Sequence, residues 1–178
     1  LNYINKKGIS HCFMNIFSIM FNSVFEAKII DLFTNKAKKF FRDPYEELNF
    51  CMEIGCFFDP YTLSGDQKEL ADTFNEKIDS YSFGVLLFVL FTGKTPYSKM
   101  IHLFKHLPIE MPEKSKDISQ CTVELITKCM DNNPYERPGF DEILHLIRKN
   151  SYMLADEVDA KLVKKRDDEL SCYEEKNL

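Results

Sequence analysis

The longest apolar run of the chain, Val85 to Phe91, lies within residues 79–92. There Tyr81, Phe83, Val85, Leu86, Leu87, Phe88, Val89, Leu90 and Phe91 leave no polar face. A helix that is apolar around its full circumference must be buried on every side. Of these apolar residues only Val85 and Val89 are β-branched, which favours helix over strand. Gly93 stands where a left-handed cap residue ends a helix, and Pro96 blocks its resumption. The pattern predicts a central buried helix over 79–92.

Two further helices are predicted over 119–149. Val123, Ile126, Thr127 and Met130 recur at i, i+3, i+4 and i+7, with Leu125 and Cys129 beside them. Pro134 and Pro138 punctuate a turn, after which Phe140, Ile143, Leu144 and Ile147 repeat the same period. Gly139 would cap that last helix, with Glu142 as its N3 residue. Near the start, Ser18–Phe21 and Ala27–Ile30 read as two short strands around an Asn22-Ser23 turn. Residues 31–75 carry no sustained period and contain Pro44, Pro60 and Gly65. An irregular stretch of that length inside a domain is functional or wrongly assigned. Pro108 and Pro112 bracket a linker. Residues 151–178 are charge-dense and read as a solvated helix fraying into a tail.

Composition narrows the function classes. The 178 residues amount to one domain, with 44% hydrophobic and 29% charged residues, which are globular proportions. With 23 Lys+Arg against 28 Asp+Glu the net charge is −5, and no basic block offers a seat for nucleic acid. No apolar run approaches the roughly 18–20 residues of a membrane span, so no membrane partner is expected. Lys6 and Lys7 before Cys12–Phe21 superficially resemble a signal peptide, but Asn15 and Ser18 interrupt the apolar region. The six cysteines form no C-x-x-C pair and have no His at zinc-finger spacing. Buried thiols in a reducing compartment, hence a cytoplasmic location, are the expectation.

Two segments carry a family resemblance. Glu76-Lys-Ile-Asp-Ser-Tyr-Ser-Phe-Gly-Val-Leu-Leu87, followed by Leu90-Phe-Thr-Gly-Lys-Thr-Pro-Tyr97, resembles the buried helix of the eukaryotic protein-kinase large lobe. Tyrosine-kinase-like members read similarly there. Cys129-Met-Asp-Asn-Asn-Pro-Tyr-Glu-Arg-Pro-Gly-Phe140 resembles the family's late N-P-x-x-R-P motif. The resemblance implies a mainly α fold, a kinase-like large (C-terminal) lobe with a short β-hairpin and the small lobe absent. Residues 1–150 would be a partial kinase domain, with a catalytic-loop remnant at 8–18 and an activation-segment equivalent at 31–63.

The same resemblance assigns site positions. Gly8–Phe13 looks like the H-R-D segment: His11 keeps the His, Cys12 replaces the Arg, and Phe13 replaces the catalytic Asp. Ser18, five residues beyond Phe13, stands at the metal-binding Asn position. Phe25–Phe33 looks like the strand entering D-F-G, where Asp31 survives as a possible Mg²⁺ ligand and Phe33 replaces the Gly. Asp79 matches the structural Asp at the N-terminus of the buried helix, which accepts hydrogen bonds from the catalytic-loop backbone. Arg137 matches the Arg that pairs with the A-P-E Glu. Leu63 falls at that Glu position, so Arg137 must find another acid, Asp59 or Asp66, or turn to water.

The family uses ATP and Mg²⁺, held by a Gly-rich loop, a strand Lys and a helix Glu. No G-x-G-x-x-G occurs here. Gly93-Lys-Thr95 mimics the tail of a Walker A loop but follows a helix, with Phe88 in place of its first Gly. The expectation is a pseudokinase with no cofactor, acting by binding or scaffolding, with protein partners and a missing small lobe as the natural packing partner. A start at Leu1 would remove a covering helix and leave marginal stability. The alternatives are an ATP-dependent Ser/Thr or Tyr kinase seen as a truncated chain, and a gene remnant without selected function.

Overall fold

The computed structural model describes residues 1–12, 14–24, 26–30, 32, 55–60, 75–97, 118–149, 164, 165 and 168. Its elements run in order α1 (Asn2–Lys6), a 3-10 turn (Ile16–Ser18), β1 (Ile19–Phe21), β2 (Ala27–Ile29), α2 (Asn75–Thr92) and α3 (Gln120–Cys129). A second 3-10 turn (Pro134–Glu136) and α4 (Phe140–Lys149) follow. The described part is mainly helical with one short hairpin, as expected of a kinase-like large lobe. The linker at 108–112 and most of 151–178 lie outside the described residues.

The central helix α2 begins four residues earlier than the apolar run predicts, at Asn75. Its first turn is polar because it serves neighbouring segments and not the core, which is why hydrophobicity alone misses it. From Ile78 to Val89 no residue is exposed; the exception to burial on all sides is Leu90, at 68%. Ser80 and Ser82, polar inside this buried stretch, satisfy their hydroxyls on carbonyls. Ser80 Oγ donates to Pro138 O at 2.8 Å, and Ser82 Oγ to Phe57 O at 2.9 Å. The helix ends as its sequence foretells: Gly93 has φ 66° and donates its N–H to Val89 O at 2.9 Å. Gly93-Lys-Thr95 is thus a helix C-terminus, where Thr92 Oγ1 accepts from Lys94 N at 3.1 Å.

Helix α3 packs across α2 at Gly84. A Cβ there would meet Cys129 Cβ and Met130 Cγ at 2.7 Å each, so the missing side chain sets how closely the two helices approach. The inward face of α3 is Thr122, Leu125, Ile126 and Cys129; of the predicted stripe Ile126 and Met130 are buried, Val123 is half-buried, and Thr122 goes inside in place of Thr127. Ser119 caps the helix and its hydroxyl also bonds Thr122 Oγ1 at 2.9 Å, which lets Thr122 go inside. Thr127, predicted inward, is exposed and bonds Val123 O at 2.8 Å.

One core cluster joins Cys56, Phe57, Tyr81, Val85, Leu86, Phe88, Tyr97, Ile126 and Met130. A second joins Leu125, Cys129, Phe140 and Ile143, and here α4 lies against α2 and α3. Phe83 and Phe140 meet edge to face at 5.8 Å between ring centroids. The N-terminus of α4 is capped differently from expectation. Glu142 stays exposed, and Glu76 Oε1 of α2 accepts the Phe140 N–H at 2.8 Å. Gly139 makes room for this, since a Cβ on it would lie 2.8 Å from that oxygen.

The hairpin pairs Ile19 with Ile29, Met20 with Lys28 and Phe21 with Ala27, antiparallel. Asn22 shapes its turn by accepting from Val24 N at 3.1 Å and Glu26 N at 2.9 Å. Phe17, Met20, Phe21 and Val24 are exposed on and beside it.

Candidate functional site

The segment that resembles a catalytic loop is held by its main chain. Asp79 has 0% exposure; its Oδ2 accepts the His11 N–H and its Oδ1 the Cys12 N–H, both at 2.7 Å. Asp79 thus accepts two hydrogen bonds from the main chain of this segment. It lies a full turn inside α2, beyond Asn75 and Glu76, so it does not cap the helix. Its carboxylate is spent on another segment. Cys12 adopts φ 61°, a left-handed conformation that costs an ordinary L-residue about 1–2 kcal/mol. The two N–H groups held by Asp79 fix the main chain that leads into that turn. Burial pushes the Asp79 carboxyl up from 3.8 to about 7, against the pull of the His11 and Cys12 N–H groups.

His11 is fully buried, and its Nε2 lies 2.9 Å from Ile30 O. A carbonyl only accepts, so Nε2 carries the proton. Its Nδ1 has no hydrogen-bond partner among the described residues. Ile30 N in turn donates to Ser18 O at 2.9 Å. The loop at 11–18 is thus tied to Ile30, which follows β2 and precedes Asp31. Asn15 precedes the 3-10 turn and its Oδ1 accepts the Phe17 N–H at 2.8 Å. Ser18 is 3% exposed. Phe13, Asp31, Phe33, Leu63 and Asp66 lie outside the described residues. The structure brings His11, Ser18 and Asp79 into one assembly, and Arg137 belongs to another.

Arg137 and Asp59 form a bidentate pair, Nη1–Oδ2 at 2.7 Å and Nη2–Oδ1 at 2.8 Å, with side chains 0% and 1% exposed. The acid that meets Arg137 is therefore Asp59, four residues before the position to which the motif alignment pointed. The guanidinium also donates to Asp131 O at 2.8 Å and Lys77 O at 3.1 Å, and lies 5.0 Å over the Tyr81 ring. Lys77 Nζ donates back to Arg137 O at 2.5 Å. Buried charge of this kind needs such full hydrogen bonding to be tolerated. Beneath it Tyr81 Oη and Tyr97 Oη are 3.3 Å apart, and burial raises both phenols.

Sequence reasoning missed Glu76, Ser80, Ser82 and the tyrosine pair. Two serines inside an otherwise apolar run were the available signal, because buried hydroxyls need named acceptors. Cys12, Cys56, Cys121 and Cys129 are in no disulfide. Burial pushes Cys56 and Cys129 up to about 12, so neither thiol is a nucleophile near neutrality. Cys121 is exposed, contrary to the expectation of burial. His145 is exposed on α4. Among the described residues no group of three His, Cys, Asp or Glu could hold a metal ion, and no helix is long and apolar enough to cross a membrane.

Residues 65–147 match the family model described as protein tyrosine and serine/threonine kinase. That span includes Asp79 and Arg137. The chain is 26% identical over 153 residues to a "Probable serine/threonine-protein kinase" of Dictyostelium discoideum, covering 84% of this chain and 16% of that protein. It is 24% identical over 159 residues to the RGS domain-containing serine/threonine-protein kinase A of the same organism, covering 85% of this chain and 13% of the relative. To the dual specificity protein kinase shkD, also from that organism, it is 38% identical over 80 residues, or 42% of this chain and 11% of the relative. The chain thus spans less than a fifth of the length of each of these relatives. A buried helix anchoring a left-handed turn, a paired buried arginine and these matches agree: residues 65–147 of the chain are similar to the protein tyrosine and serine/threonine kinase domain.

Proposed function

We propose that this chain is a kinase-like domain that does not transfer phosphate and serves as a binding or scaffolding module for other proteins. One contrast carries the reading. The main-chain anchor at Asp79 is complete, while Phe13 and Ser18 occupy the positions of the base and the metal-binding Asn. Moving the γ-phosphoryl group of ATP to a hydroxyl requires a group that takes the hydroxyl proton, and Mg²⁺ to neutralise the phosphates. The Phe13 ring has no lone pair for that proton. Mg²⁺ wants several hard oxygen ligands in octahedral array. The loop offers the Ser18 hydroxyl, while the Asn15 amide oxygen is already engaged by Phe17 N–H at 2.8 Å. This donor set does not fit the ion, and Asp31 alone would be left to hold it.

The reading implies no resident cofactor for this chain, although the family uses ATP and Mg²⁺. Its partners are proteins, with a small lobe of the family's type as the natural one. Four cysteines in no disulfide support a reducing compartment, the cytoplasm. The names of the relatives favour the second reading, an ATP-dependent protein kinase acting on Ser/Thr or Tyr hydroxyls. The two are separated by incubating the purified chain with Mg-ATP. The expected result is an unchanged melting temperature and no label passed from γ-phosphate to a generic protein substrate. A Mg-ATP-dependent rise in melting temperature, or labelled substrate that disappears in an Asp31→Asn variant, overturns the proposal in favour of the kinase reading.

A further inference from the structure

We draw no further inference here: the strongest candidate, the apolar patch that Phe17, Met20, Phe21 and Val24 expose on and beside the hairpin, carries none because nothing in the structure shows what covers it.

Discussion

Replacing Asp59 by Asn removes the charge that faces Arg137 and keeps nearly the same shape. In the native protein both guanidinium nitrogens that meet Asp59 do so within 2.8 Å, with neither side chain open to water. Removing one partner of such a pair strands the other charge and costs about 3–5 kcal/mol. The carbonyls of Asp131 and Lys77 and the Tyr81 ring continue to serve the cation, which places the expected loss near the lower end, about 3 kcal/mol. Domains of this size hold only about 5–15 kcal/mol in total, so the variant should lose a large share of its stability. Urea unfolding reads this directly: with a slope of about 1–3 kcal/mol per molar, the midpoint should fall by about 1–3 M. The double variant Asp59→Leu with Arg137→Met separates charge from packing. Removing both charges should recover most of the loss, because the desolvation penalty vanishes along with the attraction. A single variant that unfolds no earlier than the double would refute the reasoning, since Arg137 would then not depend on the carboxylate.

Substitutions at three further positions test the frame. Glu76→Ala removes the acceptor for Phe140 N–H and should cost about 1 kcal/mol, whereas Glu76→Gln keeps an oxygen there and should cost less; equal losses in a thermal melt would remove the cap from the account. Gly84→Ala should destabilise by about 1–3 kcal/mol despite alanine's better helix propensity, because Cys129 Cβ and Met130 Cγ stand 2.7 Å from the new methyl; a raised melting temperature would show that α3 can move aside. Asp79 predicts a pH dependence. Its folded pKa is raised from 3.8 to about 7, so the folded state binds a proton that the unfolded state has already released. Its contribution is fully present below the ordinary value and is lost as pH rises through about 7, with a slope of up to about 1.4 kcal/mol per pH unit in that window. The stability difference between the native protein and Asp79→Asn should therefore shift in the native protein's favour toward acid, and a flat difference across the window would mean that the two N–H groups keep the carboxylate ionised.

The elements whose signals are local were legible. The run to Phe91 with Gly93 after it, the hairpin around Asn22, and the period from Phe140 to Ile147 each carry their own start, stop or face. What escaped depends on residues far apart in the chain. The start of α2 at Asn75 makes sense only once Glu76 is seen capping α4, a contact across 64 positions. The face of α3 shifted because Ser119 satisfies Thr122, so a polar side chain took a core position that apolar counting gives to its neighbours. Asp59 was one of two acids offered to Arg137, and no local pattern distinguishes it from Asp66. Asp79 and Arg137 were legible only through the family motif, since a carboxylate and a guanidinium in a buried frame contradict composition alone.

The bonds that hold the frame share one feature. Asp79 grips the N–H groups of His11 and Cys12; Ser82 donates to Phe57 O, Ser80 to Pro138 O, and Glu76 accepts from Phe140 N. Each joins a side chain of α2 to the main chain of a distant segment. Every non-proline residue supplies the same N–H and C=O, so the side chains at the gripped positions are free to change. Cys12 offers its N–H at 2.7 Å, a bond that makes no use of its side chain. Both bonds to Asp79 come from the His11 and Cys12 N–H groups, and neither uses a group of residue 13. A fold anchored in this way keeps its architecture when its reactive side chains are exchanged. It follows that Asp79→Ala should destabilise the loop far more than any substitution at position 13. Hydrogen exchange at the His11 and Cys12 amides measures this: strong deprotection is expected in the first case and near-native protection in Phe13→Asp. Loss of protection in the Phe13 variant would tie the frame to the side chains after all.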